Sequence, residues 1–343
     1  MRKLLNTLYV TTPESYLSRD GDNVVVSVEN QEKFRIPIHN LEGVVCFGYM
    51  GASPHLMQLC SEHHVGLSFL TPSGRFQARV HGKIRGNVLL RRVQYRIADN
   101  EHDSLEIAKS CIIGKIVNCK SVLGRSVRDH EGVVNAKKIR DVDLLLIDAL
   151  QRVDTCESLD SLRGIEGNCA KWYFDVFDEL ILKQKNDFFF YERNRRPPLD
   201  NMNSILSFLY TLLAHDVESA LETVGLDPYV GFFHTDRPGR PGLALDVMEE
   251  LRPFLADRLA LNLVNLQQIS GKDFLKKENG GVFITDEGRK TILSAWQKRK
   301  TDQITHPYLK EKIPVGLLPY VQALLLARFV RGDIDGYPPF FMN

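Results

Sequence analysis

The 343-residue sequence lacks any long apolar run. No stretch approaches the ~20 apolar residues that a membrane-spanning helix needs. The first residues, Met1-Arg-Lys-Leu-Leu, lead into polar strand sequence instead of the apolar core of a signal peptide. The sequence therefore predicts a soluble protein without a membrane span.

Paired cysteines are also missing. The six cysteines form no C-x-x-C pair, and most have apolar neighbours, as reduced core cysteines do. This pattern predicts a reducing, cytoplasmic environment. The residues are Cys46, Cys60, Cys111, Cys119, Cys156 and Cys169.

A strong net charge is absent. The chain has 44 Lys and Arg against 43 Asp and Glu, a formal net charge of +1. Nucleic acid could therefore bind only through local basic patches, because no overall field attracts a polyanion. The length exceeds what one small core usually holds, which predicts two domains of unequal size.

The first eighty residues have the short period of β-strands. Arg19-Asp-Gly-Asp-Asn23 is typical of a hairpin turn. Ser53–His63 begins with a capping serine and has helical spacing, which predicts one helix among the strands. The predicted strands are Thr7–Val10, Tyr16–Arg19, Asn23–Val28, Phe34–Pro37, Val44–Phe47, Val65–Phe69 and Phe76–Val80.

After Gly86 the apolar residues recur at three and four positions, the period of an α-helix. We predict an α+β fold, with a small N-terminal β-sheet domain at 1–85, a linker at 86–100 and a larger all-helical domain at 101–343. The predicted helices are Ser104–Leu123, Val142–Arg152, Leu162–Leu182, Asn203–Val224 and Leu243–Val264.

A lone carboxylate, Glu166, lies beside the apolar stripe of the predicted helix Leu162–Leu182. An unpaired buried carboxylate costs several kcal/mol, so it must meet a cation or a hydrogen-bond donor. Glu166 is therefore a candidate metal ligand. The alternative is a partly exposed glutamate of the first helical turn, which the helix dipole favours.

Three further candidates follow. His234 lies in a loop stiffened by prolines, and Asp246 and Glu249 are three apart on the next helix, so they share a face. With Glu166 they supply the hard ligands that Mg²⁺ or Mn²⁺ prefers, and they leave positions open for phosphate and water. The alternatives are a hydrogen-bonded structural histidine and a solvated helix face balanced by Arg252.

Arginines crowd the same stretches of sequence. Guanidinium groups suit phosphate, and a hard metal beside them suits phosphodiester chemistry. A solvated loop or a carboxylate clamp is the alternative. A second basic cluster, Trp296–Lys300, has an aromatic residue beside it, as single-strand contacts often have, or is a polar helix end. The candidate DNA-binding residues are Arg193, Arg195, Arg196, Arg237 and Arg240.

Four ordered motifs resemble one known family. They are Leu162-Arg-Gly-Ile-Glu166-Gly, Arg193-Asn-Arg-Arg-Pro-Pro-Leu-Asp-Asn-Met-Asn203, Leu226-Asp-Pro-Tyr-Val-Gly-Phe-Phe-His234 and Arg237-Pro-Gly-Arg-Pro-Gly-Leu-Ala-Leu-Asp-Val-Met-Glu249. They resemble the CRISPR-associated spacer-acquisition integrases, the Cas1 family, over almost the whole chain from Leu5. The segment from Pro307 through Arg331-Gly-Asp-Ile-Asp-Gly-Tyr-Pro-Pro resembles the branch that accompanies type I-C systems.

The resemblance implies an N-terminal dimerisation domain, a helical catalytic domain and a homodimer. It also implies catalysis at Glu166, His234, Glu249 and Asp246. The first three would hold one Mg²⁺ or Mn²⁺, and Asp246 would have an accessory role. The third ligand is Asp in some relatives and Glu here.

The implied reaction is metal-dependent DNA strand transfer. A 3′-hydroxyl of a captured prespacer attacks a phosphodiester of the repeat in the CRISPR array, and attack by water instead gives endonuclease activity. The implied partners are double-stranded DNA, as prespacer and repeat, and the smaller Cas2 companion. The residues alone leave two other functions open: a metal-dependent nuclease of branched DNA in repair, and a non-catalytic DNA-binding scaffold.

Overall fold

The computed structural model describes residues 6–48, 50–71, 76–80 and 88–342. The chain divides into two compact units. The first comprises residues 1–85 and 286–301, and the second comprises residues 86–285 and 302–343. Strands dominate the first unit and helices the second, which confirms the predicted α+β class. The predicted domain boundaries differ from these units in one respect, because residues 286–301 belong to the first unit.

The first unit contains two four-stranded sheets in its described part. Helix α1 (Pro54–Glu62) begins after Ser53, whose Oγ accepts from Leu56 N at 3.2 Å, and this confirms the predicted cap. The strands are β1 (Asn6–Val10), β2 (Ser15–Asp20), β3 (Asn23–Val28), β4 (Gln31–Pro37), β5 (Leu41–Phe47), β6 (Gly51–Ala52), β7 (Gly66–Leu70) and β8 (Phe76–Val80). The sheet orders are β1-β5-β7-β8 and β4-β3-β2-β6.

The second unit is mainly helical. It also contains two small antiparallel sheets, so it is not entirely helical as predicted. Its helices are α2 (Val88–Ala98), α3 (Glu101–His130), α4 (Ala136–Asp154), α5 (Leu159–Asp175), α6 (Asn201–Val224), α7 (Gly242–Arg252), α8 (Arg258–Asn265) and α10 (Leu318–Val330). Its strands are β9 (Phe274–Lys276), β10 (Val282–Ile284), β11 (Gln303–Thr305) and β12 (Lys312–Pro314). Helix α9 (Asp286–Thr301) belongs to the first unit.

Two tight turns shape the second sheet. Gly21, at φ +57°, lies in the predicted turn between β2 and β3. Glu29 and Asn30 also have positive φ, so β4 begins at Gln31, before its predicted start. Strand β2 lies between β3 and β6, which pairs with it at Tyr16 and Leu17, and one edge of this sheet is β4.

Helix α9 packs on the first unit. The side-chain nitrogen of Gln297 donates to Thr7 O at 2.9 Å, and the guanidinium of Arg289 lies 5.7 Å from the centre of the Phe47 ring. Trp296 is only 1 % exposed. The reading of Trp296–Lys300 as an aromatic-basic DNA contact is therefore wrong for the indole, because a buried ring cannot stack on a base.

Helix α3 is the central helix of the second unit and contacts α4, α5 and α7. It begins before its predicted start because the side chain of Asn100 caps it, accepting from His102 N at 3.0 Å. Part of the predicted linker at 86–100 is wrong: residues 86 and 87 lie outside the described residues, but Val88–Ala98 is helix α2. Leu90 and Gln94 of α2 are buried.

The predicted single helix Leu243–Val264 is interrupted. Helix α7 ends at Arg252, and Pro253–Asp257 forms a π-helical turn before α8. Pro253 has no N–H for the helical ladder, which favours such an irregular turn. The turn leaves Asp257 buried, where it accepts hydrogen bonds from the hydroxyls of Tyr210 at 2.7 Å and Tyr173 at 3.1 Å.

The C-terminal segment is anchored to α3 and α7. The side-chain nitrogen of Asn118 donates to Phe340 O at 2.8 Å, and Met342 N donates to Asn118 Oδ1 at 2.6 Å. Glu250 of α7 accepts from the Tyr337 hydroxyl and from Phe340 N. These buried hydrogen bonds fix the turn of α7 that carries Glu249 and Glu250.

Two expectations from the composition can be compared with the structure. All six cysteines are buried and free, as expected for reduced core residues. Among the described residues, no helix is both long and apolar enough to cross a membrane.

The buried Asp257 predicts a pH-dependent stability. Burial raises the pKa of this carboxyl to about 6, although the tyrosine hydroxyls and the nearby arginines oppose the rise. The folded protein therefore binds this proton more tightly than the unfolded chain does. The contribution to stability is fully present below about pH 4 and is lost as the pH rises through about 6.

We expect the unfolding free energy of the wild type, relative to Asp257→Asn, to fall by on the order of 2 kcal/mol between pH 4 and pH 7. Urea unfolding at several pH values measures this difference. Asp333→Asn, which removes an exposed carboxylate paired with Arg331, is the control and should show no such slope. A difference that rises with pH would contradict the prediction.

Candidate metal centre

Three predicted ligands come from three different elements of the second unit. Glu166 lies on α5, His234 lies in the loop before α7, and Glu249 lies on α7. His234 Nε2 is 3.9 Å from Glu249 Oε1. Glu166 and Glu249 both contact the amine of Lys115, which is 2.9 Å from Glu249 Oε2. The structure therefore brings the three side chains together.

Asp246 orients the histidine. Its Oδ2 accepts from the backbone N–H groups of Phe232 at 2.6 Å and Phe233 at 3.0 Å, and its Oδ1 accepts from His234 N at 2.9 Å. His234 Nδ1 lies 2.6 Å from the same Oδ1. Because Nδ1 donates to this carboxylate, the Nε2 lone pair faces Glu249, an arrangement common for metal-binding imidazoles. Asp246 thus acts on the loop, which suits the expected accessory role.

Two glycines let the loop lie against α7. A Cβ at Gly231 would lie 2.7 Å from the carbonyl carbon of Gly242 and 2.9 Å from Asp246 Oδ2. A Cβ at Gly242 would lie 2.9 Å from Tyr229 O. Any larger residue at either position would push the backbone apart. The hydrogen bonds of Asp246 therefore depend on these close approaches.

Gln94 and Arg163 also hold this loop, and neither was predicted from the sequence. Gln94 Nε2 donates to Asp227 O at 2.8 Å and to Val230 O at 2.9 Å. Arg163 Nη2 donates to Phe233 O at 3.1 Å. A cavity of about 340 Å³ adjoins the loop and is lined by His234 and Arg163, among others. The imidazole therefore borders open space.

The charges around Glu249 are balanced by two cations. Arg252 Nη1 lies 2.7 Å from Glu249 Oε1, and Lys115 contacts the other oxygen. Burial disfavours the ionised carboxyl, but Arg252 and Lys115 outweigh it and hold the pKa of Glu249 below its usual range. Loss of Glu249 would leave the buried Arg252 without this carboxylate, while Lys115 would keep its contact with Glu166.

Lys115 was not predicted, because it comes from α3 and is remote in sequence from both glutamates. One signal was available: Lys115 lies four residues after Cys111 and four before Cys119, in the apolar stripe of α3. A lysine in such a stripe needs a carboxylate partner. Although burial disfavours the charged amine, Glu249 and Glu166 raise the pKa of Lys115 above its ordinary value.

The donor set suits a hard divalent ion. Two carboxylates and one imidazole converge, and within the described part of the chain the buried Glu249 Oε2 makes no well-formed hydrogen bond despite its short distance to Lys115. In the described ranges no three acidic, histidine or cysteine side chains are already close enough to hold an ion. The types of ligand fit, and the position between the carboxylates is taken by the Lys115 amine.

Four of the predicted DNA-binding arginines form one basic cluster. Arg195, Arg196 and Arg237 are exposed, and Arg240 is partly buried. Burial lowers the pKa of Arg240, and the positive charges of the other three lower it further. The guanidinium groups of Arg237, Arg195 and Arg196 are therefore close enough to repel that of Arg240. A polyanion would relieve that repulsion.

Arg193 has a different environment. Its guanidinium donates to Asn203 Oδ1 at 2.7 Å and to Ser207 Oγ at 3.0 Å. It also lies 5.2 Å from the centre of the Tyr210 ring, and Arg252 lies 5.1 Å from the same ring. DNA binding by Arg193 stays a prediction, and its present contacts are internal.

The fold and the site define a class: an α+β protein in which two carboxylates and an imidazole converge in a helical unit that also carries an arginine cluster. Residues 8–298 match the family described as CRISPR associated protein Cas1. The chain is 49 % identical over 340 residues to "CRISPR-associated endonuclease Cas1 1" of Chlorobaculum tepidum, covering 99 % of both chains. The chain belongs to the Cas1 family.

Solved structures share the fold. A casposase bound to integration product superposes with a TM-score of 0.84 at 20 % identity, over 99 % of this chain and 95 % of that one. A chain of a Cas6-RT-Cas1–Cas2 complex superposes with a TM-score of 0.82 at 22 % identity, over 99 % of this chain and 36 % of that one. These likenesses establish the architecture.

We expect Gly231→Ala to displace the His234 loop, because the new methyl group would lie against Gly242 and Asp246. The melting temperature should fall by several degrees, consistent with overpacking that costs about 1–3 kcal/mol. Thermal unfolding followed by circular dichroism measures this change.

Gly164→Ala on α5 is the matched control, because among the described residues nothing beyond its own helix backbone and chain neighbours lies within 4 Å of its Cβ position. This change should stabilise the protein slightly, since alanine is about 1 kcal/mol better than glycine in a helix. Equal melting temperatures for the two variants would contradict the close approach at Gly231.

Proposed function

We propose that the protein is a CRISPR adaptation integrase that joins prespacer DNA to the CRISPR array by metal-dependent strand transfer, with DNA endonuclease activity when water replaces the 3′-hydroxyl. Membership of the Cas1 family and the names of its relatives as endonucleases support this function. The single observation that carries it is the convergence of Glu166, His234 and Glu249 beside the arginine cluster.

In this proposal Glu166, His234 and Glu249 hold one Mg²⁺ or Mn²⁺. The bound ion would polarise the phosphoryl oxygen and stabilise the charge that develops on it. In the transfer, a bond forms between the 3′-oxygen of the prespacer and the repeat phosphorus, and the bond from that phosphorus to the repeat 3′-oxygen breaks. The attacking hydroxyl loses its proton and the leaving oxygen gains one.

The protein's own side chains prepare this step. Asp246 keeps His234 Nδ1 protonated and turns Nε2 toward Glu249. Arg252 holds Glu249 ionised and is itself stacked on Tyr210, so the carboxylate keeps one orientation. The cavity of about 340 Å³ beside His234 leaves open space next to the imidazole.

The arginine cluster would bind the DNA backbone. The reaction must accept prespacers of many sequences, so contacts to phosphate suit it better than contacts to bases. Arg195, Arg196, Arg237 and Arg240 carry this role, and Arg193 would support it from its internal position.

The proposed partners follow from the two-strand reaction. Inserting a double-stranded spacer needs two attacks on opposite strands, so a symmetric homodimer and the Cas2 companion are expected around double-stranded DNA. One structural neighbour belongs to a complex whose title names Cas1 and Cas2. We also propose the cytoplasm as the place of action and the type I-C branch as the subtype.

We expect Glu166→Gln to abolish strand transfer, with a loss of about 100-fold or more, because the amide cannot supply an anionic ligand. Folding should survive, since Lys115 keeps its contact with Glu249 and the Glu166 side chain is partly exposed. The assay measures joining and disintegration of a branched DNA in Mn²⁺.

Glu106→Gln, an exposed position on α3, is the control and should retain full activity. Undiminished turnover in Glu166→Gln would remove Glu166 from the proposed metal centre, and a wild type without turnover would favour the scaffold function. Activity that needs neither the Cas2 companion nor a repeat sequence would favour the repair nuclease.

We expect Arg237→Ala and Arg195→Ala to weaken DNA binding about equally for all sequences. Each lost phosphate contact should make the slope of log affinity against log salt shallower by about one unit. Fluorescence anisotropy at several salt concentrations measures the slope. Arg140→Ala on α4, an exposed arginine paired with Glu131, is the control and should leave it unchanged. A changed base preference at constant slope would argue against backbone binding.

A further inference from the structure

Lys115 has no role in the proposed function, yet its amine lies between the two carboxylates expected to bind metal. It contacts Glu166 on α5 and lies 2.9 Å from Glu249 Oε2 on α7. The Lys115 side chain is 10 % exposed, so water does not replace these partners. The Lys115 amine is therefore a structural part of the candidate metal centre.

The charges of this group cancel without a metal. Glu166 and Glu249 carry two negative charges, and Lys115 and Arg252 carry two positive ones. Without Lys115, two carboxylates would lie close together with only Arg252 on one of them, and their repulsion would separate them. Lys115 thus keeps both ligands in place when no ion is bound.

An ion and the amine cannot have the same position. A small divalent ion needs its oxygen ligands at about 2.0–2.2 Å, closer than an ammonium group holds them. Two cations between the same two carboxylates would also repel strongly at this distance. The absence of a ready-made three-ligand group among the described residues is consistent with carboxylates spaced for an amine.

We propose that Lys115 is a substitute cation: it takes the metal position between Glu166 and Glu249 and must withdraw from at least one of them before a divalent ion binds. This inference rests on the ligand set of the proposed function. It means that the chain itself lowers the affinity of the centre for free metal.

The test compares Lys115→Met with the wild type in Mn²⁺ binding and in stability. Isothermal titration with Mn²⁺ alone should give a dissociation constant at least tenfold lower for Lys115→Met. In EDTA this variant should melt at a lower temperature than the wild type, and Mn²⁺ should raise its melting temperature more.

Two further variants make the comparison specific. Lys115→Arg keeps the charge and should bind Mn²⁺ no more tightly than the wild type. Lys120→Met, on the same helix, removes the partner of Asp143, which Lys120 contacts at 2.8 Å, and should leave Mn²⁺ affinity unchanged. If Lys115→Met does not fold in EDTA, its refolding by Mn²⁺ supports the proposal. The Mn²⁺ titration is then repeated with Lys115→Gln.

The outcomes separate this inference from the proposed function. If the wild type binds Mn²⁺ through Glu166 and neither Lys115→Met nor Lys115→Gln binds it more tightly, the substitute-cation role is overturned and the metal site stands. If neither the wild type nor these variants bind Mn²⁺, the metal site of the proposed function is overturned, and this inference with it.

Discussion

The hydrogen bonds of Asp246 position the rest of the centre. One carboxylate accepts three consecutive backbone N–H groups, from Phe232 to His234, and the imidazole of His234 as well. These groups belong to an irregular loop that has no ladder of its own, so their burial depends on this acceptor. The loop, the ring orientation and the distance to Glu249 therefore share one cause. The close backbone approach at Gly231 and Gly242 makes that contact sterically possible.

A second layer of interactions joins the acids to the cations. Arg252 contacts Glu249 and lies over the ring of Tyr210, and the hydroxyl of Tyr210 donates to Asp257. The guanidinium of Arg193 lies over the same ring and donates a hydrogen bond to Asn203. Charges that would be costly alone are thus buried as a connected group, which is the condition under which buried ions are tolerated. The candidate metal centre and Arg193 therefore belong to one network of ion pairs, hydrogen bonds and aromatic contacts.

Local sequence patterns predicted much of the fold and the acids of the site. The two-residue period of the strands and the Ser53 cap predicted the strands and helix α1 of the first unit. The helical period predicted most helices of the second unit. What the patterns missed depends on long-range contacts. Helix α2 has a buried glutamine, Gln94, whose hydrogen-bond partner lies in a loop more than a hundred residues away. Lys115 similarly meets Glu166 and Glu249 only in the folded chain. Spacing within one segment cannot reveal such partners.

Neighbouring glutamates on α7 have opposite surroundings. Glu249 faces the candidate centre, whereas Glu250 accepts from Tyr337, Phe340 and Gln322 of the C-terminal part of the chain. Consecutive side chains on an α-helix point about 100° apart, so contacts at both residues prevent the helix from turning about its axis. Helix α7 therefore has a fixed orientation about its axis. Any adjustment of the centre to a substrate falls to the side chains of Glu166 on α5 and Lys115 on α3, and not to the helix that carries Glu249.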